Sequence, residues 1–500
     1  MYRDRIRLKT LWGKVMSPEE AAMLIKDGMT VGMSGFTRAG DAKAVPLALA
    51  ERATREPLHI TLMTGASLGN DNDKLLAKAG ALARRLPFQA DPTLRAAINK
   101  GEVMFIDQHL SETVELLRSR QMGPIDYAVI EVSAITADGG LIPTTSVGNS
   151  ATFAILAKKV IVEINLAQPS ALEGLHDIYI PTRRPSREPI PVVSPESRAG
   201  LPFIPVDPSK IEAIVVTQKA DSAATIEAPD SETAAIASHL IEFFQHEVRQ
   251  GRLGNTLAPL QAGIGSIANA VLHGLIQSPF HDLKMYSEVL QDSTFELFDS
   301  GKLTFASGSS ITLGPEAHDR IIPNIGRYKR KVILRPQEIS NHPEVIRRLG
   351  VIGINTALEC DIYGNVNSTH VNGTHMMNGI GGSGDFARNA HLAIFVTKSL
   401  AKNGSLSRVV PMVTHVDHNE HDVDVIATEI GLADLRGLAP RERAETIIRN
   451  CIHPTYRELA SDYLRRALQR GGHTPHLLEE AFSWHIRAQQ TGNMLAPKSA

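Results

Sequence analysis

YAVIEVSAITADGGLIPTTSVGNS, residues 127–150, begins with a branched apolar run, passes through an acidic turn with glycines, and ends in a Ser/Thr/Asn-rich stretch. The run Tyr127 to Val132 is short and almost wholly apolar, which suits a strand buried on both faces. AKKVIVEIN (157–165) follows with a second such run, Val160 to Ile164. Upstream, Thr30 to Phe36, Ile60 to Met63 and Val103 to Ile106 have the same character. Helical stretches lie between them. The first has Ser17 as cap, Pro18 in its first turn, Glu20 to complete a capping box and Gly28 where it should stop. A turn at Thr37, Arg38, Ala39 and Gly40 precedes the next, Ala44 to Ala53. Strands alternating with helices predict an α/β fold with mainly parallel sheets.

The second half repeats the first. LGVIGINTALECDIYGNVNSTHVNGT (349–374) parallels residues 127–150, and AHLAIFVTK (390–398) parallels 157–165. Two unrelated strand–turn–strand units would give a weaker correspondence, so two similar α/β halves are expected. Between them, Pro181, Pro185, Pro189, Pro191, Pro195, Pro202, Pro205 and Pro208 forbid a helix or a central strand. Residues 181–208 therefore read as an extended connection, with domains over 1–220 and 221–500. After the proline-rich stretch the alternation resumes: Ile211 to Val216, Val332 to Leu334, Val351 to Asn355, Leu392 to Val396 and Val423 to Ala427 read as strands, and Glu232 to Arg249 as a long helix.

The 500 residues are 43% hydrophobic and 21% charged, an ordinary globular balance. A net charge of −2 offers no electrostatic footprint for nucleic acid or an acidic membrane. Two cysteines, Cys360 and Cys451, make no disulfide framework and favour a reducing compartment. No apolar run approaches the roughly 20 residues of a membrane-spanning helix. The basic start MYRDRIRLKTLWGK has no apolar core and contains Asp4, against a secretory signal, and is short and serine-free, against a mitochondrial one. A cytoplasmic protein is expected.

Four clusters in the second half can carry chemistry. In PLQAGIGSIANAVLHGL (259–275) a strand leads through Gly263, Ile264 and Gly265 to a helix starting near Ser266, so N–H groups there can face a phosphate, a pyrophosphate or an oxyanion. A tight turn that only packs would look the same. In LKMYSEVLQD (283–292) the carboxylate of Glu288 interrupts an apolar run. Alone it reads first as an edge-strand glutamate facing water; the alternative is a group paired, held in a cleft or shifted in pKa. NGIGGSGDFARNA (378–390) packs Gly379, Gly381, Gly382 and Gly384 before a helix that Asp385 could cap, a nest for an anion. It lacks the Lys and Ser/Thr of a P-loop and the Rossmann order. HVDHNEHDVDVIATEIGLADLRG (415–437) holds His415, Asp417, His418, Glu420 and His421, whose spacing fits no standard metal site, so no metal is expected; Glu429 is a further candidate carboxylate.

Taken together these segments resemble the acetyl-CoA hydrolase/transferase family of class I CoA-transferases. The likeness runs from GMSGFTRAGDAKAVPLALAER (32–52) to HTPHLLEEAFSWH (473–485), with TADGGLIPTTSVGNS, YSEVLQD, YGNVNST, MMNGIGGSGDFAR and ADLRG its most specific pieces. It matches poorly over 179–225, particularly around Ala220 to Ile226. The resemblance implies two CoA-transferase domains with the active site between them, and a homodimer. It places a nucleophilic glutamate at Glu288, the CoA loop at Gly263, Ile264, Gly265, Ser266 and Ile267, and oxyanion-hole N–H groups at Ile264 and Gly382. It places CoA contacts at Leu358, Asn378 and Lys402, and carboxylate-site groups at Asn341 and Glu429. No tightly bound cofactor is implied; CoA is a substrate and becomes a covalent intermediate, and the partners are acyl-CoA and small carboxylates. The expected reaction is succinyl-CoA plus acetate giving acetyl-CoA plus succinate. Alternatives are acetyl-CoA hydrolysis through the same glutamate, transfer to propionate or 4-hydroxybutyrate, and a non-catalytic sensor.

Overall fold

The computed structural model describes residues 2–224 and 229–496. Residues 225 and 226 of the poorly matching segment lie outside the described residues. The chain forms two compact units. One gathers Met1–Thr225, Lys284–Phe295 and Leu303–Leu349; the other gathers Ile226–Leu283, Glu296–Lys302 and Gly350–Ala500.

The first unit holds a seven-stranded sheet in the order Met104–Phe105, Leu82–Leu86, Ile60–Met63, Thr30–Met33, Tyr127–Val132, Lys159–Asn165 and Ile211–Thr217. Every neighbouring pair is parallel. Apolar side chains on both faces bury it, as the branched runs require. The same unit contains the strands Leu303–Gly308 and Val332–Leu334, also parallel. In the second unit Leu260–Ala262, Ile352–Thr356, Leu392–Val396 and Val425–Thr428 lie side by side and parallel, and Gly431–Asp434 closes the edge antiparallel.

The internal repeat is structural. Tyr127–Val132 is followed by a small antiparallel pair (Ala134–Ile135 with Leu141–Ile142), the helix Ser150–Leu156 and the parallel neighbour Lys159–Asn165. Ile352–Thr356 is followed by an antiparallel pair (Glu359–Asp361 with Val366–Asn367), the helix Ser383–Asn389 and the parallel neighbour Leu392–Val396.

Local signals are realised closely at the helix start near residue 17. Ser17 and Glu20 form the full capping box, with Pro18 as the first residue of the helix Pro18–Ala22. Two expectations change. The first strand stops at Met33, because Phe36 and Ala39 turn back on each other through an N–H···O bond of 3.0 Å. Asp385 lies inside the first turn of Ser383–Asn389 and does not cap it; Gly382 occupies the cap position.

Two buried glutamates sit inside the central strands, Glu131 in Tyr127–Val132 and Glu163 in Lys159–Asn165. Both need partners, since an unpaired buried charge is very costly. Glu163 accepts the backbone N–H groups of Lys43 (2.7 Å) and Val45 (2.7 Å), and so caps the start of the helix Val45–Ala53. Glu131 meets the ammonium of Lys43, which also lies 2.9 Å from Asp221 and donates to the carbonyl of Asp41 at 2.7 Å.

Residues 181–208 contain no helix or strand before the short turn Pro208–Lys210. They are held inside the first unit by side chains. Arg348 donates to the carbonyls of Ile190 (2.7 Å) and Val192 (3.1 Å). Arg335 donates to that of Pro195 (3.0 Å), and Lys284 pairs with Glu196 (2.6 Å). Among the described residues no helix is long and apolar enough to cross a membrane.

Candidate active site

Glu288 stands where two neighbouring chains break from regular pairing together. The strand Leu283–Tyr286 ends, Ser287 still donates its N–H to Ser307 O (2.9 Å), and Val289–Leu290 then pairs with Ser310–Ile311. The Glu288 carbonyl accepts both Ser309 N–H (2.6 Å) and Ser310 N–H (3.1 Å), which fixes its backbone twice over. Such an approach needs a glycine beside it: a Cβ on Gly308 would stand 3.0 Å from Leu290 Cγ and 3.2 Å from the Glu288 carbonyl.

The Glu288 side chain is half-buried, neither an exposed edge residue nor a sealed one. Asn341, wholly buried, donates from Nδ2 to Oε1 at 2.8 Å. Its Oδ1 accepts the Ser340 hydroxyl at 3.0 Å, so the amide is oriented with its N–H toward the carboxylate. Asn341 ends the short helix Gln337–Ser340, tied back by Tyr286 Oη donating to Ile339 O at 2.6 Å. Burial pushes the Glu288 carboxyl up to about 7, against the Asn341 hydrogen bond, which favours the charged form. A carboxylate poised near neutral pH on a constrained backbone is a candidate functional group.

The other candidates lie in the second unit. Leu260–Ala262 leads through Gly263 and Ile264 to Gly265, the cap of the helix Ser266–Ile276, which includes Ile267. Gly265 has φ +123°, a conformation that side chains rarely adopt, and being a glycine it offers no side-chain oxygen to cap the helix. Ile264 is 47% exposed, unusual for so apolar a residue in a loop this constrained. Gly382 begins the helix Ser383–Asn389, whose Ser383 hydroxyl donates to Ile380 O at 2.7 Å. Asn378 keeps a buried Oδ1 without a hydrogen-bond partner among the described residues. Leu358 and Lys402 line one cavity of about 440 Å³, together with His370, Met377, Arg408 and His485.

Glu429 follows the strand Val425–Thr428 and has both carboxylate oxygens engaged by Ser399: the N–H at 2.8 Å and the hydroxyl. The His/Asp-rich run is spent on local structure. Asp417 accepts Ser368 N–H (2.7 Å) and pairs with His415 (3.2 Å), and His418 Nε2 meets the Ser383 hydroxyl (3.0 Å). The grip of Ser309 and Ser310 on Glu288 has no counterpart among the sequence expectations, which included no strand at Leu303–Gly308. Its trace in the sequence is the run Gly308–Ser309–Ser310, small residues that let two segments close up.

The comparisons agree with this architecture. The N-terminal domain model of the acetyl-CoA hydrolase/transferase family matches residues 1–216, and its C-terminal domain model matches 319–463. A succinyl-CoA:acetate CoA-transferase of Clostridium kluyveri is 50% identical over 493 residues, covering 98% of this chain and 92% of that one. An acetyl-CoA hydrolase of Kluyveromyces lactis is 44% identical, covering 99% of this chain and 98% of that one. The crystal structure of RipA from Yersinia pestis superposes with a TM-score of 0.70 over 92% of this chain and 98% of that one, at 22% identity, and shares the fold. The chain belongs to the acetyl-CoA hydrolase/transferase family, and it is an enzyme of the CoA-transferase kind.

Proposed function

We propose that the protein transfers CoA between short carboxylic acids, with succinyl-CoA and acetate as the favoured pair, through a covalent intermediate on Glu288. The observation that carries this is the Glu288 carboxylate itself: backbone held by two N–H groups, side chain oriented by Asn341, and ionisation poised near 7. The half-identical relative named for succinyl-CoA and acetate supports that substrate pair.

In the proposed cycle an oxygen of ionised Glu288 attacks the thioester carbonyl of an acyl-CoA. The C–S bond breaks, giving an acyl–glutamyl anhydride and CoA thiolate. The thiolate then attacks the glutamyl carbonyl, forms a glutamyl–CoA thioester and releases the first acid as its carboxylate. A second carboxylate reverses both steps. The N–H groups of Ile264 and Gly382 are the proposed donors to the negative thioester oxygen of bound acyl-CoA, each contributing on the order of 3 kcal/mol. Gly263, Gly265, Ser266, Ile267, Leu358, Asn378 and Lys402 are proposed to bind CoA. The cavity at Leu358 and Lys402, and the unpartnered Asn378 Oδ1, support this. Binding energy from that remote tail can be used at the reacting carbonyl. Glu429, already occupied by Ser399, is proposed to shape the carboxylate site rather than react.

A relative named acetyl-CoA hydrolase favours a second reading, in which water completes the cycle. Acetyl-CoA consumption measured with and without added succinate or acetate separates the two. Transfer requires the carboxylate and leaves, after borohydride treatment, a reduced residue in the peptide carrying Glu288. Consumption indifferent to carboxylate defeats the transferase reading.

Asn341→Ala is expected to act on ionisation. Its hydrogen bond lowers the Glu288 pKa, so removing it raises that pKa above about 7. Only the ionised form attacks, so wild-type kcat/KM for acyl-CoA falls about tenfold per pH unit below about 7 and is flat above. In the variant the same limb lies at higher pH. A limb that stays in place shows that Asn341 does not govern this carboxylate.

A further inference from the structure

We infer that Arg187 is a positioning residue for Glu288: its guanidinium, forked between Glu115 and His342, holds the turn from which Asn341 reaches the carboxylate. The inference rests on Glu288 being the nucleophile.

Arg187 belongs to the proline-rich stretch, where sequence offered no function. Its side chain is 10% exposed. Nη1 donates to Glu115 Oε1 at 2.7 Å, and Nη2 meets His342 Nε2 at 2.6 Å. A guanidinium has only donors, so the imidazole nitrogen accepts. His342 suits that role: burial, then the Arg187 charge, lower its pKa to about 4, so it is neutral in the working range. Glu115, Arg184 and Glu344 are the other charged groups acting on it.

The Asn341 turn is anchored on its entry side by other groups. Gln337 Nε2 donates to Leu110 O at 3.0 Å, and Glu338 accepts from Arg118 at 2.6 Å and from the Thr152 hydroxyl at 2.9 Å. The helix ends at Ser340, and the backbone of His342 links it to the next helix, Pro343–Leu349: its N–H donates to Ile339 O (3.2 Å) and its carbonyl accepts the N–H groups of Val345 and Ile346 (3.0 Å each). Arg187 adds a grip on the side chain of this linking residue. Glu115, which fixes Arg187, is itself paired with Arg118 and with Arg184 (2.6 Å). The guanidinium is therefore held on one side and holds on the other. Loosening it should let the Asn341 amide drift, and small misplacements of orienting groups cost large factors in rate.

The test uses the full-length protein in acetyl-CoA/succinate exchange, with Tm recorded for each variant. Arg187→Ala is expected to lower kcat about tenfold, to leave KM for acetyl-CoA within about twofold, and to move the acid limb of kcat/KM to higher pH. Arg187→Lys, which keeps the charge and loses the fork, should fall between. Arg183→Ala, an exposed neighbour reaching Ser119 O at 3.4 Å, should behave as wild type. If Arg187→Ala does not fold, Glu115→Ala, which removes the acceptor of one arm of the fork, must shift the limb in the same direction. Wild-type kcat and limb in Arg187→Ala overturn the inference. So does a fall in kcat with an unmoved limb, since that is a merely structural loss. Borohydride marking of wild-type Glu288 is run alongside: with normal marking and unaltered Arg187 variants, only this inference falls. If wild type shows neither marking nor carboxylate-dependent exchange, the transferase reading fails and this inference with it.

Discussion

Glu288→Gln lowers CoA exchange by about 10⁴-fold or more, because no other group can take over the covalent step. The substitution keeps the size of the side chain and a group able to meet Asn341, so the fold should persist. The amide is a far poorer nucleophile than a carboxylate, and it cannot form the anhydride. Glu288→Ala should be as inactive and, after acyl-CoA and borohydride, should yield an unmodified peptide. Acyl-CoA binding should survive in both variants, because the groups proposed to hold CoA are elsewhere in the chain. Full turnover in either variant ends the covalent mechanism.

Lys43→Met is expected to cost about 3–5 kcal/mol of stability. Lys43 is 2% exposed and stands among Glu131, Asp221 and Asp41, all buried. Burial, opposed by Lys43, already raises the Glu131 carboxyl to about 8 and that of Asp41 to about 6. Methionine fills similar space without the charge. Glu131 and Asp41 then lose their counter-ion and their folded-state pKa values climb further above the unfolded ones, while Asp221, held below the usual carboxylate range with the help of Lys43, loses that support. A carboxyl with a raised folded pKa contributes stability at low pH that is lost as pH rises. The deficit relative to wild type should therefore be larger at pH 9 than at pH 6, read by denaturant unfolding at both. Equal stability of the two proteins at pH 9 would show that the cluster needs no cation.

The two experiments probe different levels of the same unit. Glu131 lies in the strand Tyr127–Val132, which pairs in register with Thr30–Met33 and Lys159–Asn165, so its counter-ion steadies the centre of the seven-stranded sheet. Glu288 acts at a place where regular pairing has been given up. The first is a cost met by a buried lysine, the second a half-buried carboxylate proposed to react.

Much of the fold was legible because its causes are local. The Ser17–Glu20 capping box, the strands Ile60–Met63, Tyr127–Val132, Val332–Leu334 and Leu392–Val396, and the glycine turn into Ser266–Ile276 each follow from the chemistry of adjacent residues. The repeat was legible because two stretches of similar pattern fold to similar strand–hairpin–helix–strand units. Glu288 could be singled out as a carboxylate in an apolar run, but its residue type alone favoured an exposed edge.

What composition and periodicity determined by themselves were the element types, their order and the duplicated α/β plan, since these depend on neighbours a few positions apart. Tertiary structure alone decided which polar groups meet. Lys43 finds Glu131 across 88 positions, Asn341 finds Glu288 across 53, and Arg187 finds His342 across 155. Periodic patterns carry no information about such pairings. They arise only when packed strands and a proline-rich stretch bring distant chain segments within hydrogen-bond reach, and there the ionisation of a carboxylate is set.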